Sequence, residues 1–366
     1  MEKVKTSKDR QMNFELLRII SMIFILLHHY SLKGGLLSIE NITTNKFIGE
    51  FIYIGGKVGV VIFILISGYF LIDKKYKFKN LFKVILEVFF YSILIHITLL
   101  LANQIQFSFK NLIKSIFPIL YNQYWFATSY VGLYIFIPYI NKLIYGMSKE
   151  QYKILIIFGT ILFVILPTII IGGGDSFIGG ISYFIYLYLV AGYLKKYNVK
   201  FLDTNKRCIF ILILMITIMM GVSIISTYLS INIESFEKGI TYLANQNSIT
   251  VVLLGLSIFQ LFRNINIKYN KLIEICAKSS FAVYLIHDNV YLSKILWKNI
   301  FKTQNYYNEN TFVLIFHIII TTIIIYAVTL LIEYFRQNVI EKRFFEKIYM
   351  RFIKSKVEKV EKILNS

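Results

Sequence analysis

The 366-residue chain is 57% hydrophobic and 17% aromatic but only 16% charged, and its mean hydropathy is +0.63. No soluble core absorbs that much apolar surface, so a water-soluble protein is excluded. Lys and Arg outnumber Asp and Glu 40 to 20, yet the cations sit in short segments beside apolar runs, where they set topology or meet anionic lipid, and no nucleic-acid partner is expected.

Apolar runs bounded by charge and turn residues lie near 14–32, 51–72, 81–102, 125–146, 152–171, 178–194, 208–229, 249–263, 279–300 and 311–335. Many reach the roughly 20 residues a helix needs to cross a hydrocarbon layer about 30 Å thick. Helices are expected because open sheets leave backbone groups unpaired in lipid. The fold class is therefore an all-α polytopic membrane protein with about ten transmembrane helices and both termini cytoplasmic. The first run follows a basic stretch, as in a signal peptide, but no small-residue cleavage site follows it, so it reads as a retained helix. With the N-terminus inside, 31 of the 40 Lys and Arg residues fall on cytoplasmic segments or helix ends, the asymmetry expected of a multi-pass protein. Those segments include Asp73–Lys79, Lys195-Lys196 and Lys206-Arg207. Residues 1–335 form the membrane domain, and 336–366 form a basic cytoplasmic tail with interleaved Lys and Glu, read as a solvated or membrane-surface helix.

Ionisable residues inside spans are costly and are candidates for function. In the first run, Arg18 and His29 are eleven positions apart, about three helical turns, which places them on one face about 16 Å apart. Glu15 and Ser21 lie near the same stripe. His28 points about a quarter turn away, so the adjacent histidines have different jobs. The alternative is that Arg18 snorkels to the interface and His29 caps the helix end. In the second run, Ser67-Gly68 falls at the cytoplasmic end, where glycine admits close approach. Lys57, near the outer end, suits an anionic acceptor or a developing oxyanion, or an interfacial snorkel. Lys83 and Glu87 have the spacing of a helical ion pair. At the fourth run, Gln123, Tyr124 and Trp125 suit stacking on a sugar or an interfacial aromatic belt. Gly172-Gly173-Gly174-Asp175 reads as a tight outer loop without the spacing of a phosphate loop. Cys208 and Cys276 fall near cytoplasmic helix ends and read as reduced thiols. His287-Asp288, mid-span in the ninth run, is the second histidine candidate, or else a buried histidine bonded to a neighbouring helix. His96 and His317 read as structural. No spacing of His, Cys, Asp or Glu suggests a metal site.

Asn13-Phe14-Glu15-Leu16-Leu17-Arg18 followed by His29 resembles the opening signature of the membrane-bound acyltransferase 3 family. Four further segments resemble that family in order: Val58–Phe70 with its Ser-Gly-aromatic ending, Tyr124-Trp125-Phe126 with Leu133-Tyr134 and Pro138, Ala191–Lys196, and Ser279–His287 with Tyr284 three positions before His287. The resemblance implies transfer of an acetyl or related group from cytoplasmic acyl-CoA, the donor substrate, to a cell-surface or lipid-linked carbohydrate. No bound cofactor is implied, and localisation would be the bacterial cytoplasmic membrane. Arg18, Lys79, Lys83 and Ser67 are expected to hold the donor. His29 is expected as general base or transient acyl carrier, with His28 and His287 as further catalytic candidates. Lys57, Trp125 and Tyr284 are expected to face the acceptor. The chain departs from the family in having only lysines between the second and third spans, and Lys lacks the bidentate fork of Arg. No esterase-like domain follows the last span. A glycolipid or small-solute transporter or flippase is the rival class, although no paired broken helices from two repeats are seen.

Overall fold

A computed structural model describes residues 11–170, 180–197 and 199–365, and within them every regular element is helical. The basic residues before Gln11 and the Gly172–Asp175 loop lie outside the described residues.

Each of the ten apolar runs contains helix where described, the ninth as two pieces split at 288–291. They correspond to α1 (Met12–Leu32), α2 (Thr44–Leu71), α3 (Phe78–Leu101), α5 (Trp125–Gly146), α6 (Lys149–Thr160, continued through Ile161–Ile165 to Leu166–Ile169), α7 (Gly180–Lys196), α8 (Asn205–Ser230), α9 (Ile249–Arg263), α10 (Lys271–His287) and α11 (Thr311–Phe335). A short amphipathic helix, α4 (Phe109–Ile116), precedes α5. Seven helical stretches among the described residues are long and apolar enough to cross a membrane. The three expected spans outside that set are α5, which is rich in Tyr, and α7 and α10, which are 17 residues each.

Helix starts follow their caps. The Thr43 side chain accepts from Lys46 N–H to open α2, Ser148 and Gln151 form a capping box at α6, and Asn270 accepts from Leu272 and Ile273 N–H at α10. The Thr43 cap starts α2 seven residues before the expected boundary. Lys57 therefore sits in the middle of the helix rather than at its end. The ninth run is also not one helix: α10 stops at His287, Asp288 is its C-cap, and a second helical piece begins at Leu292. The Asn289 side chain accepts from the Tyr291 and Leu292 N–H groups and so caps that second piece. His287 is thus a helix-terminal residue and not a mid-span one.

Close helix approach depends on small residues, as in other membrane bundles. A Cβ on Gly56 would stand 2.2 Å from His28 Cγ, and one on Gly59 would stand 2.5 Å from the Ser21 carbonyl oxygen, so α1 lies directly on α2. A Cβ on Gly68 would meet the Ala191 Cβ of α7 at 2.8 Å. This bears out the close approach expected there.

The tail departs from a free surface helix. The chain runs on from α11 as helix to α12 (Lys354–Asn365) and folds back onto the lysine-rich segment between α2 and α3. Phe78 N–H donates to Glu361 at 2.6 Å, Tyr76 N–H donates to Asn365 at 2.7 Å, and the Asn365 amide returns a bond to the Tyr76 carbonyl at 3.0 Å. The join is held by buried Arg336, which donates two 2.7 Å bonds to Glu333 and faces Glu341 at 3.1 Å. Tyr91 of α3 donates to the same Glu333 carboxylate at 2.7 Å. Buried charges in a membrane protein need such partners.

Candidate active site

Helices α1, α2, α5 and α10 line two adjoining cavities, and α3 adds to the wall of the second. The first, about 40 Å³, is lined by His28, His29, Lys57, Trp125, Phe126 and Tyr284 among others. The second, about 350 Å³, is lined by Glu15, Arg18, Ser67, Glu87, Tyr130 and Lys278 among others. Phe63, Phe126 and Phe281 line both, so three aromatic rings separate the histidines from the arginine. Along α1 the two ends of this path are Arg18 and His29, the pair expected from the spacing to share a face. Arg18 lies toward the lysine-rich end of the bundle.

His29 Nδ1 is 2.8 Å from His287 Nε2, and His287 Nδ1 is 2.5 Å from the Val283 carbonyl oxygen one turn back on α10. His29 Nε2 lies 3.7 Å from Asp288 Oδ1, and Lys33 at the end of α1 forms an ion pair with the same carboxylate. His28 takes a separate partner, donating Nδ1–H to the Tyr53 carbonyl at 2.7 Å, and its ring stands 4.3 Å from the Tyr53 ring. The adjacent histidines therefore differ in environment, one facing α10 and the other α2. Tyr284 lines the smaller cavity, with its ring 6.4 Å from that of His287. Lys57 Nζ lies 5.0 Å from the Trp125 ring centroid, a cation–π geometry.

At the other end, Arg18 donates to both oxygens of Glu15 at 2.8 and 2.9 Å. Both bonds leave the single nitrogen Nη1 and hold the guanidinium at the cavity wall. Lys79 and Lys83 are engaged by the tail: Lys79 meets Glu346 at 3.3 Å, and Lys83 meets Glu341 at 2.6 Å and Glu346 at 3.7 Å. The expected Lys83–Glu87 pair is replaced by these bonds, and Glu87 instead lies 3.6 Å from Arg336. A separate recess of about 460 Å³ is lined by Lys74, Lys75, Lys142 and Asn365 among others. Asp73 at its edge bonds Lys195 at 2.5 Å and Tyr145 at 2.7 Å. Partial burial pushes its carboxyl up, but those bonds outweigh the effect and hold it below its ordinary value.

His96 and His317 lie away from both cavities. Tyr30 and His317 share a 2.6 Å hydrogen bond, and Tyr306 stacks on the imidazole at 3.7 Å. Sequence reasoning missed Lys33, Asn289 and the three phenylalanines. Asn289 donates to the Tyr124 hydroxyl at 2.6 Å, which ties the loop after α10 to the start of α5. Lys33 had one visible signal, a single cation closing an apolar run beside two histidines.

A model of the acyltransferase 3 family, described as an acyltransferase domain, matches residues 13–333. No curated protein and no solved structure matches the chain.

Proposed function

Because the chain belongs to the acyltransferase 3 family, we propose that it transfers an acetyl group from cytoplasmic acetyl-CoA to a hydroxyl of a cell-surface or lipid-linked carbohydrate, in a bacterial cytoplasmic membrane. The observation that carries this reading is the two-cavity path joining Arg18 to His29 through Phe63, Phe126 and Phe281. Both termini and the lysine-rich end face the cytoplasm, where the donor is made. The phosphates of the donor meet Arg18, with Lys79 and Lys83 beside it, since guanidinium and ammonium groups hold phosphate through charge-assisted bonds. The pantetheine arm passes Ser67 and the three phenylalanines toward His29.

The size of the inner cavity supports a small acyl group. One water needs roughly 10–15 Å³ of such space, so about 40 Å³ admits about three water-sized groups. An acetyl group has three heavy atoms, which matches that space. In the reaction the acceptor oxygen bonds to the thioester carbon while His29 takes its proton. The C–S bond then breaks, and the proton passes to the departing sulfur. Lys57 stabilises the oxyanion formed between these steps, a role for which a fixed positive group beside the carbonyl is suited. Trp125 and Tyr284 bound the acceptor, as aromatic faces do for sugars.

The test is to supply radiolabelled acetyl-CoA to permeabilised cells with and without the gene, then isolate the surface glycan. Label released from the glycan by mild base only when the gene is present is the expected result. Equal ester label in both strains would reject the reading and bring the transporter class forward.

A further inference from the structure

We infer that His287 is a positioning residue that fixes the tautomer of His29, so that Nε2 of His29 is the nitrogen that takes the hydroxyl proton. The inference rests on the reading of His29 as the base and adds which atom acts and why.

The argument begins at the end of α10. A carbonyl oxygen only accepts, so the 2.5 Å contact between His287 Nδ1 and the Val283 oxygen requires a proton on that nitrogen. A neutral His287 then presents a bare Nε2. That nitrogen accepts from His29 at 2.8 Å, which places the His29 proton on Nδ1. His29 Nε2 is left with its lone pair, as a general base requires. Reversing the His287–His29 bond with His287 neutral would set two lone pairs against each other at the Val283 carbonyl. The helix end supports the arrangement, because the His287 ring folds back onto its own last turn and Asp288 closes the helix behind it.

The charges around the pair fit the same assignment. Lys33, Lys57, His28 and Asp288 are the titratable or charged groups facing His29, with Tyr284 beside His287. Before transfer Lys33 is paired with Asp288. Once Nε2 is protonated, His29 is an imidazolium whose Nδ1–H stays on His287 and whose Nε2–H faces Asp288 Oδ1, 3.7 Å away in the resting geometry. Val283 and His287 thus play the orienting part that a carboxylate plays toward histidine in serine hydrolases.

Nitrogen-15 NMR of protein labelled only at its five histidines, in lipid bilayers, reads the tautomer directly, and His29→Asn identifies the His29 signals. The wild type should show His29 protonated at Nδ1 and bare at Nε2. His287→Ala should move the proton to Nε2, toward Asp288. His287→Gln, whose amide oxygen can accept from Nδ1–H, should restore the wild-type pattern. In the glycan-labelling assay, His287→Ala should slow transfer by about 10²-fold with CoA affinity unchanged, and the Gln variant should recover part of the rate. A wild-type His29 protonated at Nε2, a tautomer indifferent to His287→Ala, or equal rates for the Ala and Gln variants would overturn the inference. If the tautomers behave as expected but His29→Asn still transfers acetyl, the reading of His29 as base fails, and with it the role given to Nε2, while the tautomer assignment stands.

Discussion

At the residue scale, Arg18 and Glu15 form one unit, in which both carboxylate oxygens accept from the guanidinium. The guanidinium is only part-buried and already engaged by both carboxylate oxygens, so under the proposed function the donor phosphate would compete with Glu15. Arg18→Ala should therefore weaken CoA binding by roughly 1.5–3 kcal/mol, the scale of a lost charge-assisted bond, while Glu15→Gln should leave it equal or tighter. Calorimetry on purified protein measures both. An Arg18→Ala variant that binds CoA normally would make Arg18 a packing residue. Proximity on the first run was legible because Arg18 and His29 are local to one helix. The partner of His29 was not, because His287 lies 258 positions away and comes into register only where α10 ends. Periodicity alone continued that helix through Asp288.

At the scale of the elements, the contact of α1 with α2 holds the histidines in place. Gly56→Ala would put a methyl group 2.2 Å from His28 Cγ, so α1 or the imidazole must shift. A large loss of transfer is expected, whereas His28→Gln, which keeps a donor for the Tyr53 carbonyl, should be mild. Comparable loss in the two variants would show that His28 itself does chemistry. The tail is the second such element. Its glutamates hold Lys79 and Lys83, and the exposed Lys79–Glu346 pair contributes about 0–1 kcal/mol. Glu341→Gln combined with Glu346→Gln should free the lysines and tighten CoA binding by a few-fold in the same calorimetric titration. Unchanged or weaker binding would remove the lysines from the donor site. Interleaved Lys and Glu suggested a surface helix, since nothing in the local pattern names Glu361 and Asn365 as partners for backbone groups at Phe78 and Tyr76.

For the whole molecule, helical architecture was legible because bilayer thickness imposes length and apolarity on each run. Cap chemistry moved the boundaries, extending α2 back to Thr43 and breaking the ninth run at Asp288. The orientation prediction is that the Lys74–Lys79 segment faces the cytoplasm, since that choice places 31 of the 40 basic residues inside. In a background lacking Cys208 and Cys276, a cysteine at position 77 should resist an impermeant external thiol reagent in intact cells and react after permeabilisation. Efficient labelling in intact cells would invert the molecule and detach Arg18 from cytoplasmic donor. The central claim, that His29 is the base at the far end of a donor path from Arg18, is tested most directly by His29→Ala. Ester-linked acetyl on the surface glycan is measured in cells producing equal amounts of each protein in the membrane. A fall of roughly 10²-fold or more in the transfer rate with CoA affinity preserved is predicted, and glycan acetylated at the wild-type rate would contradict the account.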